Sequence, residues 1–176
     1  MRYLNKRVII AVIAVIIAII VIIITAFGDK VIKLEYEINL NKVATDVDYS
    51  TIKTEQGIQC GSVKIVLGQK IDITAYTVTK ELEKDGIVLK QLLAPSKKYE
   101  LVVAGANDTW HVQEIRTTVP EVYNLQGYTI GDIRKDVKKY TTLSGKKKVT
   151  LTPDDCTETR LEFISDILVV IDMRCL

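Results

Sequence analysis

Apolar and polar positions change period along this chain. Positions 8–27 hold ten Ile, four Val, four Ala, one Thr and one Phe, with no charge among them. Twenty helical residues rise about 30 Å, the hydrocarbon thickness of a bilayer. Fourteen of the twenty are Ile or Val, which in water favour strands. A lone strand in lipid leaves its backbone donors and acceptors unpaired, so the pattern predicts a transmembrane helix. Ala11, Ala14 and Ala18 fall on one face of it, as a lipid-facing stripe or as a small-xxx-small surface that admits a second helix.

Past Gly28, a natural helix stop, the period becomes two. Ile32, Leu34, Tyr36, Ile38 and Leu40 alternate with Lys33, Glu35, Glu37 and Asn39, the pattern of a half-buried strand. Further strands are predicted over 62–67, 70–79, 87–93, 98–104, 109–119, 147–152 and 160–171, with Lys84-Asp85-Gly86 as a turn. Ile130, Ile133, Val137 and Tyr140 recur at helical spacing, and Thr129 with Asp132 has the form of a capping box, which predicts one short helix. The fold class expected is mainly β: a transmembrane helix, then an antiparallel β-sandwich of immunoglobulin-like or jelly-roll-like type.

The run Leu93-Ala-Pro95-Ser-Lys-Lys-Tyr99-Glu-Leu101-Val-Val103 resembles the tyrosine-corner stretch of fibronectin type III and related immunoglobulin-like domains. That resemblance implies that the Tyr99 hydroxyl bonds back to upstream backbone and fixes a crossing between sheets. It covers about eleven residues of the chain.

Composition adds little to this division: 48% of the residues are apolar, as in an ordinary globular domain. Flanking charge adds more. Arg2, Lys6 and Arg7 precede the apolar segment without an acid, whereas Asp29, Lys30, Lys33, Glu35 and Glu37 follow it in near balance. By the positive-inside rule, residues 1–7 stay inside as a short N-terminus, and 28–176 forms a single β-rich domain across the membrane. A cleaved signal peptide is the competing reading, since Ala26-Phe27-Gly28 offers small residues to a peptidase. The apolar stretch exceeds the usual length of such a signal, which favours an uncleaved anchor.

Charge within 28–176 is segregated. Arg134, Lys135, Lys138, Lys139, Lys146, Lys147 and Lys148 stand against Asp136 alone, a basic patch that fits anionic headgroups or an acidic subunit. Residues 151–176 are acidic in sum, so the two stretches can also neutralise each other. Outside the cytoplasm Cys60, Cys156 and Cys175 allow one disulfide in any of three pairings, or all three stay reduced. Asn107-Asp108-Thr109 is an N-glycosylation sequon.

Catalytic signatures are missing. His111 is the only histidine, and the chain has no G-x-S-x-G, Walker loop, G-x-G-x-x-G, H-E-x-x-H or C-x-x-C. Cys60, His111 and a carboxylate could in principle converge, and Asp72, Asp85, Glu114 and Asp132, which would have to supply a glycosidase-like couple, are too scattered to pair by sequence. No enzyme, cofactor or metal is expected, and neither a nucleic acid nor a small-molecule ligand. The expectation is a non-enzymatic, single-pass membrane-anchored structural or assembly protein. Its partners would be the bilayer and neighbouring subunits of a cell-envelope complex or of a virion with an internal membrane. The alternative is a membrane-anchored surface binding or adhesion module.

Overall fold

A computed structural model describes residues 38–52, 56–106, 108–138 and 145–176, which belong to one compact unit, Ile38–Leu176. The expected anchor at 8–27, the 1–7 tail and the first part of the 32–40 strand lie outside the described residues. Among the described residues no helix is long and apolar enough to cross a membrane.

The unit is mainly β, with antiparallel sheets and little helix. Its strands are β1 (Gly57–Cys60), β2 (Val63–Val66), β3 (Lys70–Ile71), β4 (Thr77–Lys84), β5 (Ile87–Leu93), β6 (Glu100–Ala106), β7 (Thr109–Thr117), β8 (Val122–Asn124), β9 (Lys148–Asp154), β10 (Thr157–Ile164) and β11 (Ile167–Cys175). A three-stranded sheet has the order β2-β1-β8, and the eight-stranded sheet runs β4-β5-β6-β7-β11-β10-β9. The free edge of β7 is shared: Trp110 and His111 pair with β3, and residues 114–117 with β11. Strands β9, β10 and β11 are successive antiparallel neighbours, and β11 returns beside β7, which is a Greek-key path.

The two sheets pack as a sandwich. Ile58, Ile65 and Val122 from the small sheet meet Leu92, Leu101, Val112, Ile115, Leu161, Ile171 and Met173 from the large one in a single apolar core. Alternation accounts for this: in β6, Leu101 and Val103 face that core, and Val102 and Ala104 face the other way. On that outer face Leu89, Val102 and Ala104 form a second cluster, covered by Ile38, Leu40 and Val43.

Several boundaries differ from the sequence pattern, each for a local reason. The 70–79 strand is interrupted because Asp72 accepts the Thr74 amide at 2.9 Å and Tyr76 N donates to Ile73 O at 2.9 Å, turning the chain between β3 and β4. The 160–171 strand is a hairpin: Ser165 and Asp166 take left-handed φ of 50° and 65°, a two-residue turn without glycine. The turn at Asp85-Gly86 forms as expected, with φ of 55° and 76°. Leu40–Lys42 is a single 3₁₀ turn and not strand, capped by the Asn39 side chain on Asn41 N at 3.1 Å.

The expected short helix, α1, spans only Arg134–Val137. Asp132 does accept the Thr129 amide at 2.8 Å. However, the Thr129 hydroxyl donates to Pro120 O and Val122 O, so it ties β8 down and caps no helix.

Candidate functional site

The outer face of the large sheet changes character midway. Beyond the covered apolar cluster, charged side chains stand in register across four strands. Glu100 on β6 lies opposite Arg116 on β7, Arg116 opposite Asp172 on β11, and Asp172 opposite Arg160 on β10. One row along, Glu114 lies opposite Arg174, and Arg174 opposite Glu158. Where two charged residues face each other in these rows they carry opposite signs, the arrangement that favours each pair.

Contacts follow the register. Arg174 Nη2 meets Glu158 Oε1 at 2.8 Å, Arg160 reaches Glu158 at 3.4 Å and Asp172 at 3.7 Å, and Lys148 meets Glu162 at 3.0 Å. Glu114, Arg116 and Asp172 are only 8%, 7% and 6% exposed. Packed charge of this kind shifts protonation. Burial first, and then the Asp172 charge, pushes the Glu114 carboxyl up to about 8, and burial also raises Asp172 against the pull of Arg160 and Arg116. Burial thus favours a proton on this carboxyl pair, whose two members interact by a side-chain hydrogen bond. Asp172 Oδ1 and Arg174 Nε have no hydrogen-bond partner among the described residues.

A second feature is an open cleft of 410 Å³ lined by Lys70, Asp72, Lys90, Asp108 and Trp110 among others. Trp110 lies over Gly105, where an added Cβ would come within 2.7 Å of the indole, so only glycine permits this stacking. Lys90 Nζ sits 4.7 Å from the ring centroid and pairs with Glu81 at 3.2 Å. Backbone donation from Thr74 holds the Asp72 carboxyl below the usual carboxylate range. The cleft thus offers an indole, two ammonium groups and two carboxylates to a polar ligand.

The basic patch is divided by the fold. Arg134 turns inward, 8% exposed, over the Phe163 ring at 4.0 Å and paired with Asp166 at 2.8 Å. Together with Lys148–Glu162, this joins the basic stretch to the acidic one. Lys135, Lys138, Lys146 and Lys147 remain exposed, and Lys139 lies outside the described residues.

Cys60, Cys156 and Cys175 are free thiols. Cys156 Sγ lies 3.0 Å from the Thr51 hydroxyl, and burial pushes the Cys175 thiol up to about 12, so it stays protonated. The tyrosine-corner run closes the β5–β6 hairpin within one sheet, with Leu93 opposite Glu100 and the Lys97 amide bonded to Ala94 O at 2.8 Å across Pro95. Its tyrosine meets a side chain and not backbone: Tyr99 OH lies 3.3 Å from Tyr76 OH. Asn107 lies outside the described residues; its neighbours Ala106 and Thr109 are paired across the hairpin. His111 stacks on Tyr49 at 4.4 Å between centroids, and its Nδ1 lies 3.1 Å from the Gly68 carbonyl. A carbonyl only accepts, so Nδ1 carries the hydrogen.

Pairing of Glu114 with Asp172 was the site feature that sequence reasoning missed. Its signal is the alternation Glu114/Arg116, Asp172/Arg174 and Glu158/Arg160/Glu162 in three strand-like runs. Compared with protein-family models, curated proteins and solved structures, the chain shows no match.

Proposed function

We propose that the chain is a non-enzymatic, single-pass membrane-anchored structural or assembly protein. Segment 8–27 is the anchor, residues 1–7 stay inside, and the β-sandwich stands outside the cytoplasm, or outside the internal membrane of a virion. There it contacts neighbouring subunits, as a cell-envelope component or as a minor-capsid tether between membrane and shell.

The observation that carries this reading is where the sandwich begins. Ile38, Leu40 and Val43 are already 5%, 7% and 6% exposed on the outer face of the sheet. Only residues 28–37 separate them from the apolar segment, and ten residues reach at most about 36 Å. A domain on so short a tether stays close to the bilayer surface. The Greek-key path fits both an immunoglobulin-like and a jelly-roll-like sandwich, and does not separate the two. The cleft beside Trp110 favours the second reading, a membrane-anchored surface binding module, because it offers a ligand an aromatic floor with charge on either side.

Mild-detergent extraction, followed by light scattering and mass spectrometry of co-purifying chains, tests the proposal. Partners at a fixed ratio are expected. A lone monomer would sink the assembly reading and turn attention to the Trp110 cleft.

A further inference from the structure

We propose that the end of the sandwich built from the β10–β11 turn, the start of α1 and the start of β9 docks flat on anionic lipid headgroups. This rests on the anchoring reading above and extends it to a surface of the folded domain.

Isoleucine exposure comes first. Ile133, Ile164 and Ile167 are 49%, 44% and 43% exposed. They are neighbours: Ile164 lies opposite Ile167 across the hairpin, and Ile133 forms a bridge with Ile167. Backbone bonds hold the group rigid, with Arg134 N donating to Asp166 O at 2.7 Å, Leu168 N to Asp132 O at 2.9 Å, and Gly131 N to Leu168 O at 2.9 Å. Three large apolar side chains presented together at one end form a contiguous patch, which marks a contact site where scattered ones would not.

Charge supplies the second observation. Phe163 N donates to Lys147 O at 2.7 Å, which lays Lys146 and Lys147 beside Ile164, while Lys135 in α1 and Lys138 at its C-terminal cap follow Ile133. Of the acids at this end, Glu162 is buried against Lys148 and Asp132 and Asp136 are half-buried, while Asp166 pairs with Arg134 and stays 75% exposed in the turn. The surface therefore shows isoleucines rimmed by four exposed lysines, with Asp166, paired to Arg134, as the one exposed acid there among the described residues.

That composition selects lipid over protein. Protein interfaces are depleted in Lys and take their binding energy from Trp, Tyr and Arg. A bilayer surface takes aliphatic side chains into the acyl boundary and gains about 1 kcal/mol from each lysine near anionic headgroups. Reach allows it as well. Ten residues between segment and sandwich span at most about 36 Å, comparable with the roughly 30 Å length of a nine-residue strand, so either end of the sheet can meet the membrane.

The test reconstitutes the full chain into nanodiscs of phosphatidylcholine alone, or of phosphatidylcholine with phosphatidylserine, and follows amide hydrogen exchange. In the anionic discs, exchange over 133–138 and 164–167 is expected to slow by about tenfold, and to recover at high salt. The Lys135→Gln/Lys138→Gln/Lys146→Gln/Lys147→Gln variant and the Ile164→Ser/Ile167→Ser variant should each lose that slowing, while exchange in β5 and β6 stays unchanged and certifies the fold. Equal exchange in both discs, with the protein inserted, overturns docking and leaves anchoring standing. Protein that elutes apart from the discs overturns anchoring, and docking with it. Slowing that depends on the number of chains per disc and not on lipid charge assigns the patch to a second copy, which also overturns the proposal.

Discussion

The outer face of the large sheet is closed in two different ways. At one end, Leu89 and Val102 are fully buried because another part of the chain lies over them: Ile38, Leu40 and Val43 supply the apolar cover. Directly beyond it, from Glu114 opposite Val102 onward, Glu114, Arg116 and Asp172 are nearly as hidden, yet most of their cross-strand neighbours, Arg174, Glu100 and Arg160, carry opposite charge. The first solution gains stability, about 1.5–3 kcal/mol for each large side chain withdrawn from water. The second gains little, because desolvating ions offsets most of their attraction, and what it adds is register. A one-residue slip of β11 against β7 would move Asp172 and Arg174 to the apolar face. The covered end therefore supports stability, and the charged end fixes which strands pair and how.

The largest effect expected from this comparison is at Arg116. Its guanidinium faces Glu100 on one side and Asp172 on the other, and it also lowers the cost of ionising Glu114. Arg116→Met leaves that group of acids with one cation fewer and should cost on the order of 3–5 kcal/mol. Urea denaturation of the detergent-solubilised chain measures it. A loss under about 1 kcal/mol would mean that the charged end behaves as an ordinary solvated surface, and the contrast would disappear.

Next comes Leu89→Ala at the apolar end, with an expected cost of about 2–4 kcal/mol from lost burial and the cavity left behind. This change should also loosen the cover, so amide exchange over 38–43 should accelerate more than exchange in β10 and β11. Lys84 gives the cover a second hold, its Nζ donating to Asn41 O at 3.2 Å and Val43 O at 3.0 Å. If 38–43 stays protected while the whole unit weakens, those polar bonds and not Leu89 keep it in place.

How much of this could be read from the chain follows the same contrast. Alternation placed β5 at 87–93 without error, and located β6, β7 and β9 to within two residues, because each has one apolar face. It ran β10 and β11 together, since Ser165-Asp166 turns without glycine or proline. It passed over β1 and β8, whose four and three residues are too few to show a period. The apolar core was legible because hydrophobicity is a property of each residue alone. The Glu114–Asp172 pair was not, because a bulge at Val102/Val103 against β7 and the return of β11 beside β7 decide which carboxylates meet. Equally, exposed isoleucines look like core in a sequence, and only the fold leaves Ile133, Ile164 and Ile167 at the surface.

The smallest effect concerns pH, and it separates the two ends most cleanly because only one of them titrates. Glu114 is held at about 8 in the folded unit against an ordinary 4.5, through burial first and Asp172 second. A raised carboxyl stabilises fully below the unfolded value and loses that contribution as pH rises through the folded one. Asp172 is raised as well, so its effect has the same sign. The domain should therefore weaken between about pH 5 and pH 9, by on the order of 1–3 kcal/mol once solvent relaxation is allowed for. Glu114→Gln keeps a neutral donor toward Asp172 at every pH and should flatten most of that slope, while Leu89→Ala should leave it unchanged. Denaturation of the three proteins at both pH values decides it: a slope of equal size in the Gln variant would show that the acid pair does not share a proton.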